Sequence, residues 1–309
     1  MNVSNEPSMS DVFDQIFRLI RLEACVYFQR DFHAPWAMQI GPTEMAQFHL
    51  VLGGSCVIEQ DQGPTALGPG DIVLFPRGAA HVIADKEGRR AVPGQAAMAT
   101  FGTTRPMFSG PGEASRVICG HYCYRNQVGH PLMDSLPEML LVRKSEASDL
   151  SKITDLLIAE TKLSVPGSTP IVERLAEVLL VHILRAWFAQ ETRPPGFLNA
   201  VTDPRLCRAM VRIHHDFRTP LTLEALAEEA GMSRSNFAER FKQVTGLAAI
   251  EYLSKWRMIS AGDLLSETGL SIADVAARSG YGSDLAFARA FKREYGLSPA
   301  SWRRHNRVA

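Results

Sequence analysis

The segment Thr222-Leu-Glu-Ala-Leu-Ala-Glu-Glu-Ala-Gly231 returns as Ser271-Ile-Ala-Asp-Val-Ala-Ala-Arg-Ser-Gly280, 49 residues further along the chain. Each copy is followed by Phe-x-x-x-Phe-Lys, which begins at Phe237 in the first copy and at Phe287 in the second. The threonine or serine can cap a helix, and the glycine can end it in the left-handed conformation before a sharp turn. The repeat therefore predicts two helix-turn-helix units.

The second helix of each unit is predicted to bury its phenylalanines and to point polar side chains outward. At about 100° per residue, the outward positions are Ser235, Glu239 and Lys242 on the first of these helices and Arg289, Lys292 and Arg293 on the second. Arginine can pair with guanine and lysine with phosphate when such a helix lies in the major groove. This face is therefore a candidate DNA-binding surface, and an αα-hairpin bundle with a solvated charged face is the alternative. Residues 250–266 are predicted to form one helix that holds both units on one side.

Residues 203–305 resemble the DNA-binding domain of AraC/XylS-type transcriptional regulators. The resemblance rests on the two units, the helix between them and the closing Gly296-Leu-Ser-Pro299-x-x-Trp302-Arg303. It implies that helices beginning near Ser233 and Ser283 enter adjacent major grooves of double-stranded promoter DNA, with RNA polymerase as a further partner. The positions that read bases in that family fall on Ser235, Ala238, Glu239, Asp284, Ala288 and Arg289.

Composition excludes several classes of protein. The chain has 309 residues, 46% hydrophobic and 21% charged, which excludes a mainly disordered chain and suggests at least two domains. No apolar run is long enough for a membrane span, the polar start is not a secretory signal, and five cysteines fit a reducing cytoplasm without a membrane partner. The net charge of zero divides into −4 over residues 1–199 and +4 over 200–309, which favours a polyanion partner for the C-terminal part.

Residues up to about 145 have the pattern of short strands separated by turns rich in glycine and proline. The predicted strands are Phe48–Leu52, Ser55–Glu59, Asp71–Phe75 and Arg116–Tyr124. They predict an all-β sandwich or barrel. From about residue 148 the apolar period becomes helical, and one helix carries a broad apolar stripe that needs a partner, either the barrel or a second subunit. That stripe consists of Val172, Leu175, Ala176, Leu179, Leu180, Ile183 and Trp187.

The segment Gly68-Pro-Gly70-Asp71-x-x-x-x-Pro76-x-Gly78-x-x-His81 resembles the second conserved motif of cupins. Val51-Leu52-Gly53-Gly54-Ser55 is similar to the strand and turn that precede it. The resemblance implies a β-barrel of the jelly-roll class that senses a small-molecule effector, as in some AraC-type regulators, and the stretch Cys119-Gly-His121-Tyr122 supports that subgroup.

Four side chains of this region are candidate ligands for a zinc-like divalent metal: His49, His81, Cys119 and His121. Side chains two apart on a strand share a face, so Cys119 and His121 point the same way. Imidazole and thiolate are the donors of tetrahedral zinc sites. A plain ligand pocket or a vestigial barrel is the alternative, and Cys56 and Trp36 are expected to be core residues.

The prediction is a multidomain α+β chain. It has a cupin-like sensor domain at 1–147, a helical dimerisation and linker segment at 148–196, and a double helix-turn-helix domain at 197–309. The predicted function is that of a homodimeric, sequence-specific transcription regulator and not an enzyme. The competing class is a metal-dependent cupin oxygenase or isomerase. Only Gln47 and His49 stand where the first cupin motif requires a fuller ligand set, and no nucleophilic triad, phosphate loop or dinucleotide fingerprint is present.

Overall fold

The computed structural model describes residues 22–100, 103, 107–124, 133, 136–146, 150–163, 165–190, 200, 203–267 and 269–306. These residues divide between two compact units. The sheet unit comprises Leu22–Cys123 and Leu136–Arg193, and the helical unit contains the described part of Pro194–Ala309. No helix within the described ranges is long and apolar enough to cross a membrane.

The described part of the sheet unit contains ten strands arranged in two sheets. The strands are β1 (Leu22–His33), β2 (Ala37–Ile40), β3 (Ala46–Gly53), β4 (Cys56–Gln60), β5 (Gly63–Leu67), β6 (Ile72–Phe75), β7 (His81–Ala84), β8 (Val92–Pro93), β9 (Ala114–Tyr124) and β10 (Leu140–Val142). One sheet has the order β1-β9-β3-β6-β10 and the other β5-β4-β7-β2-β8. The four predicted strands correspond to β3, β4, β6 and β9.

The two sheets share an apolar core and remain open. The core takes alternate residues from both sheets, including Val51 and Val73 of the first and Met38, Ile58 and Ile83 of the second. Among the described residues no strand of one sheet is hydrogen-bonded to a strand of the other. Of the predicted sandwich or jelly-roll barrel, the described residues therefore form the sandwich: two packed sheets that do not close into a barrel, because interdigitating side chains, rather than continuous strand pairing, join the layers. Cys56 and Trp36 are core residues, as predicted.

Within its described residues, the sheet unit also contains three α-helices: α1 (Gly94–Met98), α2 (Leu150–Thr161) and α3 (Ser168–Ala189). The apolar stripe of α3 is buried, with Leu175 alone partly exposed among the seven predicted positions. It packs against β1 and β10, and the Tyr122 hydroxyl of β9 donates a hydrogen bond to the Ala176 carbonyl at 2.9 Å. The sheet is therefore the partner that the stripe requires, and both long helices belong to the sheet unit.

The described part of the helical unit contains seven helices, and the predicted helix-turn-helix units are confirmed. The helices are α4 (Pro204–Asp216), α5 (Leu223–Glu229), α6 (Arg234–Thr245), α7 (Ala249–Glu267), α8 (Ile272–Arg278), α9 (Asp284–Tyr295) and α10 (Pro299–Asn306). Helices α5 and α6 form the first unit, and α8 and α9 form the second. Gly231 and Gly280 have φ of 62° and 81°, so both turns use the left-handed backbone that favours glycine.

Helix α7 is the predicted central helix, and it joins the two units. It contacts both α6 and α9, and its buried residues Met258, Ala261 and Leu265 pack with Phe287 and Phe291 of α9. The Arg257 guanidinium of α7 donates to the carbonyls of Phe217 (2.6 Å) and Thr219 (2.7 Å). These contacts fix the end of α4 against the centre of the unit.

Candidate nucleic-acid interface and sheet interior

The second helices of the two units expose the predicted polar positions. The phenylalanines Phe237, Phe241, Phe287 and Phe291 are fully buried. The predicted outward residues that are exposed are Ser235, Glu239, Lys242, Asp284, Arg289, Lys292 and Arg293, while Ala238 and Ala288 are half-buried. The face opposite the phenylalanines is therefore polar, and on α9 it is strongly cationic.

Serine caps set the start of both helices. The Ser233 and Ser283 hydroxyls accept hydrogen bonds from the amides of Asn236 (3.4 Å) and Ala286 (3.2 Å). The capping box at the start of α8 is also formed, because the Asp274 amide donates to the Ser271 hydroxyl at 3.0 Å. The first turns of α6 and α9, which carry Ser235 and Asp284 and lead into the other predicted base-reading residues, are thus held by local hydrogen bonds.

Cations of these helices fall into two groups. Arg234 pairs with Glu224 (2.8 Å), and Arg240 pairs with Asp203 (2.6 Å), the residue that also caps α4. Within the described part of the chain, no ion pair engages Lys242, Arg289, Lys292 or Arg293. The first group is engaged by carboxylates of the same unit, and the second is available to an external anion.

Sequence reasoning overlooked Leu285 on the first turn of α9. This leucine is 62% exposed, the highest value among the exposed large hydrophobic side chains of the described residues. The repeat contained the signal, because an offset of 50 residues aligns Leu285, rather than Asp284, with Ser235.

Inside the sheet unit, three of the four candidate metal ligands form a hydrogen-bonded chain. His49 Nδ1 lies 2.9 Å from Cys119 Sγ, and His49 Nε2 lies 2.8 Å from His81 Nε2. His81 Nδ1 lies 2.8 Å from the Ala79 carbonyl, which can only accept, so His81 Nδ1 carries the proton. In the neutral chain, His49 Nε2 then donates to His81, and the Cys119 thiol donates to His49.

Burial keeps every member of this chain uncharged. It lowers the pKa of His81 to about 4, and burial together with the neighbouring His81 lowers the pKa of His49 well below its usual value. Burial raises the pKa of the Cys119 thiol. The His81 ring also stacks on Phe75, with ring centres 3.7 Å apart. The chain is therefore a neutral, packed part of the core.

The four candidate ligands do not converge on one point. Cys119 and His81 lie at opposite nitrogens of the His49 ring, so they cannot share a metal ion with a single nitrogen of His49. His121 is half-buried against Tyr27, with ring centres 4.8 Å apart. Across the described ranges, no three His, Cys, Asp or Glu side chains are grouped to hold a metal ion. As placed, the donor set does not fit the zinc-like centre.

A cavity of about 690 Å³ opens at the end of β1 in the same unit. Apolar side chains of Phe32, Met107 and Phe108 line part of it, and Arg116 and Lys162 line another part. Phe108 has φ of 68°, a conformation that bulky side chains rarely adopt. Its ring contacts that of Phe32, with centres 5.4 Å apart. Sequence patterns gave no indication of this cavity, because its residues come from β1, β9, the 107–109 segment and the end of α2.

Comparison with known proteins gives consistent matches for both units. The cupin family profile matches residues 11–189, and a helix-turn-helix domain profile matches residues 226–305. A protein of Streptomyces lividans described as an AraC-like transcription regulator is 30% identical over 277 residues, which are 87% of this chain and 90% of that protein. The HTH-type transcriptional regulator AlkR of Acinetobacter baylyi is 28% identical over 305 residues, 96% of this chain and 100% of that protein. The solved DNA-binding domain of AdpA in complex with a target DNA is 34% identical and covers 33% of this chain and 92% of that chain, with a TM-score of 0.32.

Proposed function

The chain belongs to the AraC-like transcription regulators, and from that premise we propose that a small molecule bound by its sheet unit controls how its helical unit binds promoter DNA. Membership in this family makes the chain a DNA-binding regulator. It therefore favours the regulator over the alternative of a cupin oxygenase or isomerase. The residues that contact DNA, the effector site and the oligomeric state are the parts we propose.

The DNA-contacting surface is the outward face of α6 and α9. The observation that carries this assignment is the set of four cations without an ion pair in the described part of the chain: Lys242, Arg289, Lys292 and Arg293. Arg289 lies about one turn into α9, where a side chain can reach a guanine edge, while the two lysines lie near the helix ends and suit phosphates. The exposed Ser235, Glu239 and Asp284, with the small Ala238 and Ala288, complete the proposed base-reading set.

Replacing Arg289 by alanine is expected to relax base preference at one position and to cost about 1–3 kcal/mol of binding free energy. Lys242→Ala or Lys292→Ala is expected to weaken binding equally on all sequences and to lower the salt-dependence slope by about one unit. Binding titrations at several salt concentrations, on a preferred and a scrambled duplex, measure both effects. Equal weakening of Arg289→Ala on both duplexes would contradict a base-reading role.

The proposed effector site is the 690 Å³ cavity at the end of β1. Its aromatic lining suits an apolar group, and Lys162, which makes no ion pair among the described residues, suits a carboxylate. Arg116 is already paired with Asp31 at 2.5 Å, whereas Lys162 is a lining cation that is available to a ligand. The left-handed backbone of Phe108, which is disfavoured by about 1–3 kcal/mol, lies at this cavity and is typical of binding sites.

A series of aliphatic and aromatic carboxylates of graded chain length is expected to contain ligands that stabilise the sheet unit. A ligand at about 100 times its Kd stabilises by about 2.7 kcal/mol, which raises Tm by about 5 °C or more. Thermal unfolding of the full chain measures this shift. Lys162→Glu is expected to abolish it, while Lys152→Glu, which makes the same change on an exposed part of α2, retains it. Equal responses of the two variants would contradict the cavity assignment.

A homodimer is the proposed assembly, formed through the exposed side of α2 and α3. The stripe that faces the sheet is buried, yet large apolar side chains remain exposed on these helices and the turn between them: Leu156, Leu163, Val165, Ile171 and Val178. Ile171 and Val178 are seven residues apart, so they lie on one edge of α3 as in a helix–helix seam. Such a patch favours a second copy of the chain.

Val178→Glu is expected to shift the protein from dimer to monomer, because a carboxylate would be buried in the seam without a partner. Sedimentation velocity over a range of protein concentrations measures the change. Gln62→Glu, on an exposed turn of the other sheet, adds the same charge and is expected to leave the dimer intact. A dimer of unchanged stability in Val178→Glu would place the interface elsewhere.

Control of DNA binding follows from a shift between populations. An effector that prefers one state of the chain raises the share of that state, and a coupling of about 1–3 kcal/mol changes DNA affinity about 5- to 150-fold. A cytoplasmic location and contact with RNA polymerase at the promoter complete the proposed role. Measuring DNA affinity of the full chain with and without the selected carboxylate tests this coupling.

A further inference from the structure

The exposed leucine of α9 occupies the centre of the cationic face. With Phe287 set at 0°, Leu285 lies at about 160°, between Lys292 at about 140° and Arg289 at about 200°. Leu285 is 62% exposed, whereas the phenylalanines on the opposite side of α9 are fully buried. The side chain therefore belongs to the same surface as the cations that we assign to DNA.

A single exposed leucine needs no explanation on an ordinary surface, so its position must carry the argument. Leu285 lies in the first turn of α9, and the first turns of recognition helices contact base edges in the major groove. Among the base edges in that groove, the apolar group is the 5-methyl of thymine, since the other groups are hydrogen-bond donors and acceptors. A leucine at this position has one apolar partner available to it.

We propose that Leu285 reads the 5-methyl group of a thymine, an inference that rests on the proposed DNA contact of α9. Leu285 and Arg289 are four residues apart, about 6 Å along the helix axis, and successive bases are about 3.4 Å apart. The thymine therefore lies one or two base pairs from the base that Arg289 contacts. The corresponding position of α6 is occupied by the polar Ser235, so we expect this preference for thymine in the second unit alone.

Exchange of thymine for deoxyuridine tests the contact, because it removes only the methyl group. The wild-type full chain first selects its preferred duplex from a random pool, and each thymine of that duplex is then replaced singly. At one position near the Arg289 contact, the exchange is expected to weaken wild-type binding about fourfold, the effect of one buried methyl group. Leu285→Ala is expected to show less than about a 1.5-fold effect there, and Leu297→Ala, an exposed leucine after α9, about the wild-type effect.

The outcomes separate this inference from the function on which it rests. A methyl effect that is equal in wild type and Leu285→Ala, or absent at every thymine of a selected duplex, would overturn the thymine contact and leave DNA binding intact. A selection that returns no preferred duplex would overturn the DNA-contact proposal itself. Loss of methyl sensitivity in Leu297→Ala as well would show a general loosening of the complex and would also overturn the specific contact.

Discussion

Gly280→Ala is expected to destabilise the second helix-turn-helix unit by about 3 kcal/mol, whereas Gly231→Ala is expected to cost the first unit about 1 kcal/mol. Both glycines have a left-handed backbone, which alone disfavours alanine by about 1–2 kcal/mol. A Cβ at Gly280 would lie 2.7 Å from the Phe217 carbonyl oxygen, while one at Gly231 would meet only the end of Arg208, at 3.5 Å. The difference between the variants therefore measures the close approach at Gly280.

This approach matters because the Phe217 carbonyl also accepts a hydrogen bond from Arg257 of α7. Displacement of that carbonyl would disturb the connection between α4, α7 and the second unit. Hydrogen exchange of the full chain, resolved to peptides of α8 and α9, measures the loss in Gly280→Ala, and peptides of α5 and α6 measure it in Gly231→Ala. Equal losses in the two variants would show that the carbonyl moves away without cost.

Lowering the pH from 6.5 to 4 is expected to lower the free energy of unfolding of the sheet unit. His81 and His49 have pKa values below the unfolded value of about 6.5, so the unfolded chain binds more protons in this range. Stability is complete above pH 6.5 and falls as the pH drops toward the folded value of His81, about 4. Each unit below 6.5 costs about 1.4 kcal/mol for each histidine that stays neutral.

The hydrogen-bonded chain explains why a proton cannot be accommodated in the folded state. Protonation of His81 at Nε2 would place its N–H against that of His49, 2.8 Å away. The carboxyl pKa values of Asp71 and Asp85 are also lowered, and their loss of stability begins below the ordinary range near 3.8. The two effects therefore occupy different pH windows.

Methionine oxidation over a urea gradient measures this effect within the sheet unit. Met38 is 1% exposed in the core between the sheets, so its oxidation reports opening of that core. The urea midpoint for Met38 is expected to fall clearly from pH 7 to pH 5. In the double variant His49→Gln and His81→Gln it is expected to change little. A wild-type midpoint that is the same at both pH values would show that the histidines are not held neutral.

The helical unit could be predicted closely because its signals are local. Serine caps, left-handed glycines and the phenylalanine spacing act within one turn of the chain, and the central helix predicted at 250–266 is Ala249–Glu267 in the structure. The base-reading positions were harder to predict. One extra residue before α9 changes the repeat offset from 49 to 50, so Ser235 aligns with Leu285, whereas Asp284 was the predicted base-reading position. Sequence spacing alone does not decide which of two adjacent exposed residues faces a partner.

In the sheet unit, sequence patterns predicted strands but neither their pairing nor the hydrogen bonds between their side chains. Strands β3, β6 and β9 were all predicted, but not that β3 lies between the other two, because this order depends on pairings of Gln47 with His121 and with Phe75 that join residues far apart in the chain. Alternation correctly placed His49 and Cys119 in the interior. It could not show that His49 uses both ring nitrogens within the chain of hydrogen bonds, because that depends on side-chain packing across two sheets.

Hydroxyl-radical footprinting on a selected duplex tests the central claim, that α6 and α9 present their outward faces to DNA together. The wild-type chain is expected to protect two stretches on one face of the duplex, about one helical turn apart. Lys292→Ala combined with Arg293→Ala is expected to weaken protection of one stretch, and Lys242→Ala that of the other. A single protected stretch, or equal loss of both stretches in every variant, would contradict the account.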